Sequence, residues 1–263
     1  MANVNFQYPD PSKVLGLSTS HYTGAVDWQK AKANGIEFAI MKAANGTNMN
    51  IRWWKENYRG AKDAGILVGA YTWLYPSVLY SAGRQARLFA ELLKDYPTDI
   101  PATVDFEWTF PKNPNSGDLW GFVDPFEDAY GSKPMIYTAP GYWSQYGSRN
   151  EVWATYPLWQ AQYNSGEYDV IKPWDGYDFL QWTQTGKGED YGVPKNGEIA
   201  CELNYWRGTR EELRQFCGLD ANPNELPETF TVSVGIDGQT EYVQSAVSAV
   251  IVDAFGVTWS FPR

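Results

Sequence analysis

Short apolar runs rich in β-branched and aromatic residues recur along this chain at Val14–Ser20, Phe38–Ala43, Leu67–Tyr75, Pro101–Trp108, Pro134–Ala139, Pro157–Tyr163, Asp178–Thr185 and Ile199–Trp206. Runs of this length and composition predict buried strands. Between the early runs the apolar period changes to that of helices, over Val26–Asn34, Trp53–Ala64 with Gly65 as its stop, Val78–Lys94, and Asp118–Tyr130 before Gly131. Strands that alternate with helices predict parallel βαβ units. The connections Asn164–Tyr177 and Gly186–Glu198 are rich in Gly, Pro, Asp and Asn without an apolar period, and they predict loops. A last helix is expected over Thr209–Phe216. Eight strands with helices lost from the second half point to a TIM-like α/β barrel over residues 14–219, preceded by an arm, 1–13. After it, Asp-Ala-Asn-Pro-Asn-Glu-Leu-Pro-Glu reads as a linker into a small β-rich appendage within 220–263. There Thr229–Val234 and Glu241–Val243 are expected to form a hairpin, and Ala246–Phe255 a short helix or strand. A unit so small holds little core of its own and is expected to dock on the barrel, to associate with copies of itself or to bind a separate partner.

The fourth run carries the chemistry. Ile100–Trp108 ends in Asp105 and Glu107, spaced i and i+2. Alternation along a strand puts both on one face, roughly 6–7 Å apart at about 3.3 Å per residue. Two carboxylates in one site push their pKa values apart, so that one stays protonated as a general acid while the other stays ionised. That is equipment for glycoside cleavage. In a barrel the site lies at the C-terminal ends of the strands, where both residues fall. Glu202 is read as standing near the end of the eighth run, which lies beside the first in a closed barrel, and is expected to join them at the same rim.

Composition narrows the partners. The chain has 263 residues with 21 Lys+Arg against 31 Asp+Glu, and its formal net charge of -10 argues against nucleic acid held by counterion release. Its 13 Trp, 18 Tyr and 12 Phe supply flat amphipathic faces of the kind that stack on sugar rings. No apolar run approaches the length of a membrane span, and no leader pattern opens the chain, so no membrane partner is expected. The single histidine, His21, and the scattered Cys201 and Cys217, read as free thiols, supply no zinc-type ligand cluster, and no cofactor is expected.

Read as words, Gly16–Tyr22, Val26-Asp-Trp28, Phe38–Ala43, Gly69-Ala-Tyr71, Ile100–Trp108, Met135–Thr138, Pro157–Tyr163, Phe179–Thr183 and Glu202–Trp206 together resemble the glycoside hydrolase family 25 muramidases, in the family's order over about residues 14–217. The resemblance implies a modified (β/α)5(β)3 barrel. It also implies cleavage of the β-1,4 bond between N-acetylmuramic acid and N-acetylglucosamine in peptidoglycan, with retention, in the manner of a phage endolysin. By the same resemblance Glu107 is the general acid and Asp105 its partner carboxylate. Lys42, Tyr71, Tyr137, Trp159, Tyr163 and Gln181 match strand-end words that line the groove, and Trp73 and Ser18 complete that lining.

Three departures stand out. Ser18 replaces the first word's Asp, Ala44-Asn45-Gly46 replaces Thr-Glu-Gly, and Glu202 replaces the last word's Asp. A route in which the sugar's own 2-acetamido oxygen attacks needs only two enzyme carboxylates, and Asp105 and Glu107 remain. With two neighbouring charges gone, Glu107 is expected to have a lowered pKa and an acid-shifted profile, and an aspartate restored at Ser18 is expected to raise activity. Two other readings stay open: a non-catalytic wall-binding or virion structural protein, and another retaining hexosaminidase acting on chitin-type polymers. A wall-lytic chain without a leader fits a phage lysin released from the host cytoplasm, although a secreted enzyme would look the same.

Overall fold

The computed structural model describes residues 9–76, 81–110, 112–163, 168–194, 201–219, 250–252 and 258–260, the last two as backbone. The chain divides into two compact units, Met1–Gly218 and Leu219–Arg263. In the first, eight strands close a barrel in chain order: β1 (Val14–Thr19), β2 (Ile36–Asn45), β3 (Leu67–Trp73), β4 (Thr103–Asp105), β5 (Met135–Thr138), β6 (Leu158–Ala161), β7 (Phe179–Gly186) and β8 (Cys201–Trp206). The helices between them are α1 (Trp28–Ala33), α2 (Trp54–Asp63), α3 (Ala82–Asp95), α4 (Ser116–Tyr130) and α5 (Pro140–Tyr146), and α6 (Arg210–Phe216) follows β8.

Local chemistry sets the helix starts. The Asp27 side chain accepts the Lys30 N–H to open α1, and Ser81 does the same for Arg84 in α3. Asn115 with Asp118, and Thr209 with Glu212, form reciprocal capping boxes at α4 and α6. Helix α5 escaped the sequence pattern, because its seven residues are too few for a helical period to show.

Strand pairing is parallel from β1 through β7, but β8 runs antiparallel to both β7 and β1. An antiparallel neighbour needs no crossover helix, and the described part of the β7–β8 connection holds only a short 3-10 turn, Gly188–Tyr191. Alternation divides the side chains into two cores. Outward residues such as Leu17, Ala39, Val104, Phe106, Ile136 and Leu180 pack under the helices. Phe38, Ile40, Tyr71, Met135, Tyr137, Trp159, Phe179 and Trp206 fill the barrel. At its lower end Gly16 is required by packing, since a Cβ there would stand 2.2 Å from the Phe38 ring. Helix α6 closes that end: Leu213 is fully buried, and Phe216 packs its ring on Trp206 and Phe179 with centroids 4.9 and 5.8 Å away. Among the described residues of the barrel, that leaves the upper end for a site.

In the second unit β9 (Val250–Val252) pairs antiparallel with β10 (Thr258–Ser260). The segment expected as a helix or strand over Ala246–Phe255 thus contains a strand. The hairpin expected at Thr229–Val234 and Glu241–Val243 lies outside the described residues.

Candidate active site

The inward residues at the upper ends of the strands are Ser18 on β1, Lys42 on β2, Tyr71 and Trp73 on β3, Asp105 on β4, Tyr137 on β5, Trp159 on β6, Gln181 on β7, and Glu202 and Asn204 on β8. All eleven residues expected from the sequence, Glu107 and Tyr163 included, come together here. Strand β4 stops at Asp105, yet Phe106 is fully buried in the outer core, so the alternation continues and Glu107 shares the face of Asp105.

Glu202 reaches this rim for a reason the sequence reading did not hold. It is the second residue of β8, at the strand's start. Because β8 is reversed, its start lies where the other strands end, and Glu202 pairs in register with Ser18.

A buried hydrogen-bond network ties the β5–β8 side together. Ser18 Oγ donates to Glu202 Oε2 at 2.9 Å and accepts from Gln181 Nε2 and Asn204 Nδ2, each at 3.1 Å. Gln181 Nε2 also donates to Glu202 Oε2 at 3.1 Å. Its Oε1 accepts from the hydroxyls of Tyr137, at 2.8 Å, and Tyr163. Trp159 Nε1 donates to Asn204 Oδ1 at 2.9 Å. A carboxylate accepts only, so its contact with Gln181 settles which way that amide points. Asn204 was not among the residues expected; its place two residues after Glu202 on one strand face is the signal that could have found it.

The hydroxyl of Ser18 has one donor and two acceptor sites, and all are used. These bonds argue against the gain expected from an aspartate at position 18. An aspartate there would lose the donor and set a second carboxylate against Glu202.

Opposite this network sits Lys42, 3% exposed, with its ammonium 4.0 Å from the centre of the Trp73 ring and 5.8 Å from that of Tyr71. Burial lowers its pKa, while the charges of Asp105, Glu107 and Glu202 act to raise it. The acids answer to the same physics with the opposite sign. Burial pushes Asp105, 4% exposed, well above the usual carboxylate range, with the Glu107 charge adding to it and Lys42 opposing. Burial first, then the charge of Glu202, raises Glu107 to about 7, against Lys42. Glu202 is also raised by burial, while the bonds from Ser18 and Gln181 and the charge of Lys42 hold it down. Even with two neighbouring charges gone, Glu107 stands above the ordinary glutamate value, because withdrawal from water, which no sequence pattern displays, is the largest cause acting on it.

Two outcomes follow from this electrostatics. Since a proton donor works only below its pKa, the basic limb of the rate profile should move to lower pH in Glu202→Gln, which removes a like charge, and to higher pH in Lys42→Met, which removes a compensating one; pH profiles of kcat/KM for both variants check the signs. Ser18→Asp should unfold at lower temperature than the parent, and by a wider margin at pH 7 than at pH 5, where a proton shared with Glu202 relieves the repulsion; thermal unfolding at the two values reads this directly, and an equal margin would contradict it.

The chain matches the family profile described as "Glycosyl hydrolases family 25" over residues 18–191. It is 29% identical over 194 residues to Lysozyme M1 of Streptomyces globisporus, covering 68% of this chain and 64% of that protein. It thus spans a little under two thirds of that relative's length. Uncharacterized protein YegX of Escherichia coli K12 is 30% identical over 217 residues, covering 79% of this chain and 75% of that protein. Among solved structures, the bacterial lysozyme from Streptomyces coelicolor superposes with a TM-score of 0.68 at 24% identity over 79% of this chain and 98% of that one, a likeness of fold. With an acid pair at the upper rim of a barrel whose last strand is reversed, and with the family's profile matched through most of that barrel, the chain belongs to glycosyl hydrolases family 25.

Proposed function

We propose that this glycoside hydrolase is a muramidase, cleaving the β-1,4 bond between N-acetylmuramic acid and N-acetylglucosamine of bacterial peptidoglycan, with retention and with assistance from the 2-acetamido group. The observation that carries the reading is the unequal pair at the upper end of β4: Glu107, partly buried with its pKa raised to about 7, and Asp105, buried, with Oδ1 making no hydrogen bond among the described residues. With that pKa about half of the molecules carry a proton on Glu107 at neutral pH, and it passes to the leaving glycosidic oxygen as the bond to the anomeric carbon breaks. Asp105 Oδ1 accepts the acetamido N–H, which turns the acetamido oxygen onto the anomeric carbon, where the new C–O bond forms. In the free site burial favours the neutral form of Asp105; an N–H donated to it favours the anion, so substrate itself prepares the partner carboxylate. Glu107, now ionised, takes a proton from the water that reopens the ring. Glu202, held by Ser18 and Gln181, supplies negative charge near the developing cation rather than a proton.

The relative named Lysozyme M1 and the richness of this chain in aromatic side chains support the substrate class. The substrate would place its action at the bacterial wall, reached from the host cytoplasm if the chain serves a phage. The substitutions at Ser18 and Asn45 favour one other reading, a wall-binding protein without turnover.

Glu107→Gln should keep the fold and lose about a hundred- to ten-thousandfold in kcat on purified peptidoglycan, because the amide has no proton to give. New reducing ends on muramic acid, formed by the parent protein and absent with the variant, are the expected result. Parental turnover in the variant would remove Glu107 from its role. Wall binding by the parent without reducing ends would establish the binding-protein reading, and reducing ends on glucosamine the chitin-type one.

A further inference from the structure

Glu107 lies past the end of β4, and the pairing that fixes Asp105 does not reach it. The last backbone bonds there run from the Leu74 N–H to Asp105 O at 3.0 Å and from the Phe106 N–H to Tyr137 O at 2.9 Å; among the described residues Glu107 and Trp108 make none. A carboxyl beyond its strand swings unless something else holds it, and a misplacement of about 1 Å can cost about a hundredfold in rate. The two chain neighbours of Glu107 point away from the cleft, and both rest on one ring. Phe106 meets Tyr142 edge-on with centroids 5.0 Å apart, and Trp108 does the same at 4.9 Å.

Tyr142 is fully buried in the outer core, on α5. That helix follows β5, and because β5 pairs with β4, Tyr137 beside Asp105, it stands next to the strand end that carries the acids. The ring is itself fixed. Its hydroxyl donates to Pro114 O at 2.5 Å, and the Tyr146 ring stacks on it at 28° with centroids 4.7 Å apart. The Tyr146 hydroxyl accepts from Asn113 Nδ2 at 2.9 Å, and Asn113 Oδ1 accepts the Thr109 N–H at 3.0 Å, so α5 also braces the chain that leaves Trp108.

We infer that Tyr142 is a positioning residue of this glycoside hydrolase: from outside the barrel, and without touching substrate, its ring clamps Phe106 and Trp108 and so aims the Glu107 carboxyl into the cleft. That role rests on Glu107 being the proposed proton donor. Edge-to-face ring pairs are attractive and directional, which suits two of them on one ring to hold the residue between them. A ring that merely filled space would give stability and nothing at the carboxyl. The charged and titratable groups that face Glu107 are Asp105, Lys42, Glu202 and the phenols of Tyr71, Tyr137 and Tyr163. Tyr142 adds only a phenol that burial keeps neutral. Exchanging it leaves every other group in place, so a change in the titration of Glu107 reports a change in where its carboxyl stands.

Two exchanges in the full-length protein separate ring from hydroxyl. Tyr142→Phe keeps the ring and loses the bond to Pro114, whereas Tyr142→Leu stays apolar and loses the ring. In Tyr142→Leu the loosened carboxyl gains water, which removes part of the burial that raises it. On solubilised peptidoglycan kcat should fall about ten- to hundredfold with KM within about twofold of the parent, and the basic limb of the profile should move down by about one pH unit. Tyr142→Phe should keep the parental limb. Carbon-13 titration of the Glu107 carboxyl without substrate should show the same downward shift in Tyr142→Leu and none in Tyr142→Phe. Phe106→Leu removes one contact from the other side and should repeat the shift, which decides the matter if Tyr142→Leu does not fold. A folded variant that loses rate with its limb and its carboxyl titration unmoved would overturn the positioning role, and an equal shift in Tyr142→Phe would overturn the clamp by the ring. Failure of the proton-donor reading shows separately, as parental turnover in Glu107→Gln, and leaves the substrate-free titration to decide the clamp.

Discussion

Three carboxylates and one ammonium share the upper end of a barrel from which water is largely withdrawn, and the cost of keeping charge there governs the rest of the site. Each acid is pushed toward its neutral form and the lysine toward its own, so the cluster holds protons at a pH where free carboxylates have none. The protein moderates the penalty unevenly. Glu202 receives hydrogen bonds from Ser18 and Gln181, Lys42 rests on two aromatic faces, and one oxygen of Asp105 has no hydrogen-bond partner among the described residues. That unevenness separates the acids into roles. The helix plug beneath, with Leu213 and Phe216 against the lower core, leaves this the single open end among the described residues of the barrel.

Much of this was legible in the sequence. All eight apolar runs became barrel strands, and the i, i+2 spacing of Asp105 and Glu107 placed both on one face, because strand alternation is a local property that composition displays directly. What stayed hidden is non-local. The reversal of β8 depends on which neighbours it pairs with, and it alone explains why a residue at the start of the last strand stands beside Ser18. The irregularity after Lys42 is likewise invisible in a run of Ala43 and Ala44, yet it turns Asn45 toward the site. Burial, the largest cause of the Glu107 shift, cannot be read from neighbouring letters at all.

The departures from the family's words acquire a physical sense in this light. Ser18 and Glu202 work as one unit: the longer side chain on β8 carries the charge, and the hydroxyl on β1 supplies a bond to it, in an arrangement that Gln181 and Asn204 complete. On the other wall, Asn45 in place of an acid leaves Lys42 facing fewer negative charges. The cleft has thus been rebuilt along both sides of an unchanged pair, Asp105 and Glu107.

The account turns on Glu107 being held protonated near neutrality by burial and by its acidic neighbour. Carbon-13 labelling of the glutamate carboxyl groups, with Glu107 assigned by its loss in Glu107→Gln, reports that titration directly in the unliganded protein. An apparent pKa of about 7 is predicted; a Glu107 that titrates in the ordinary range near 4.5, with the fold intact, would contradict it.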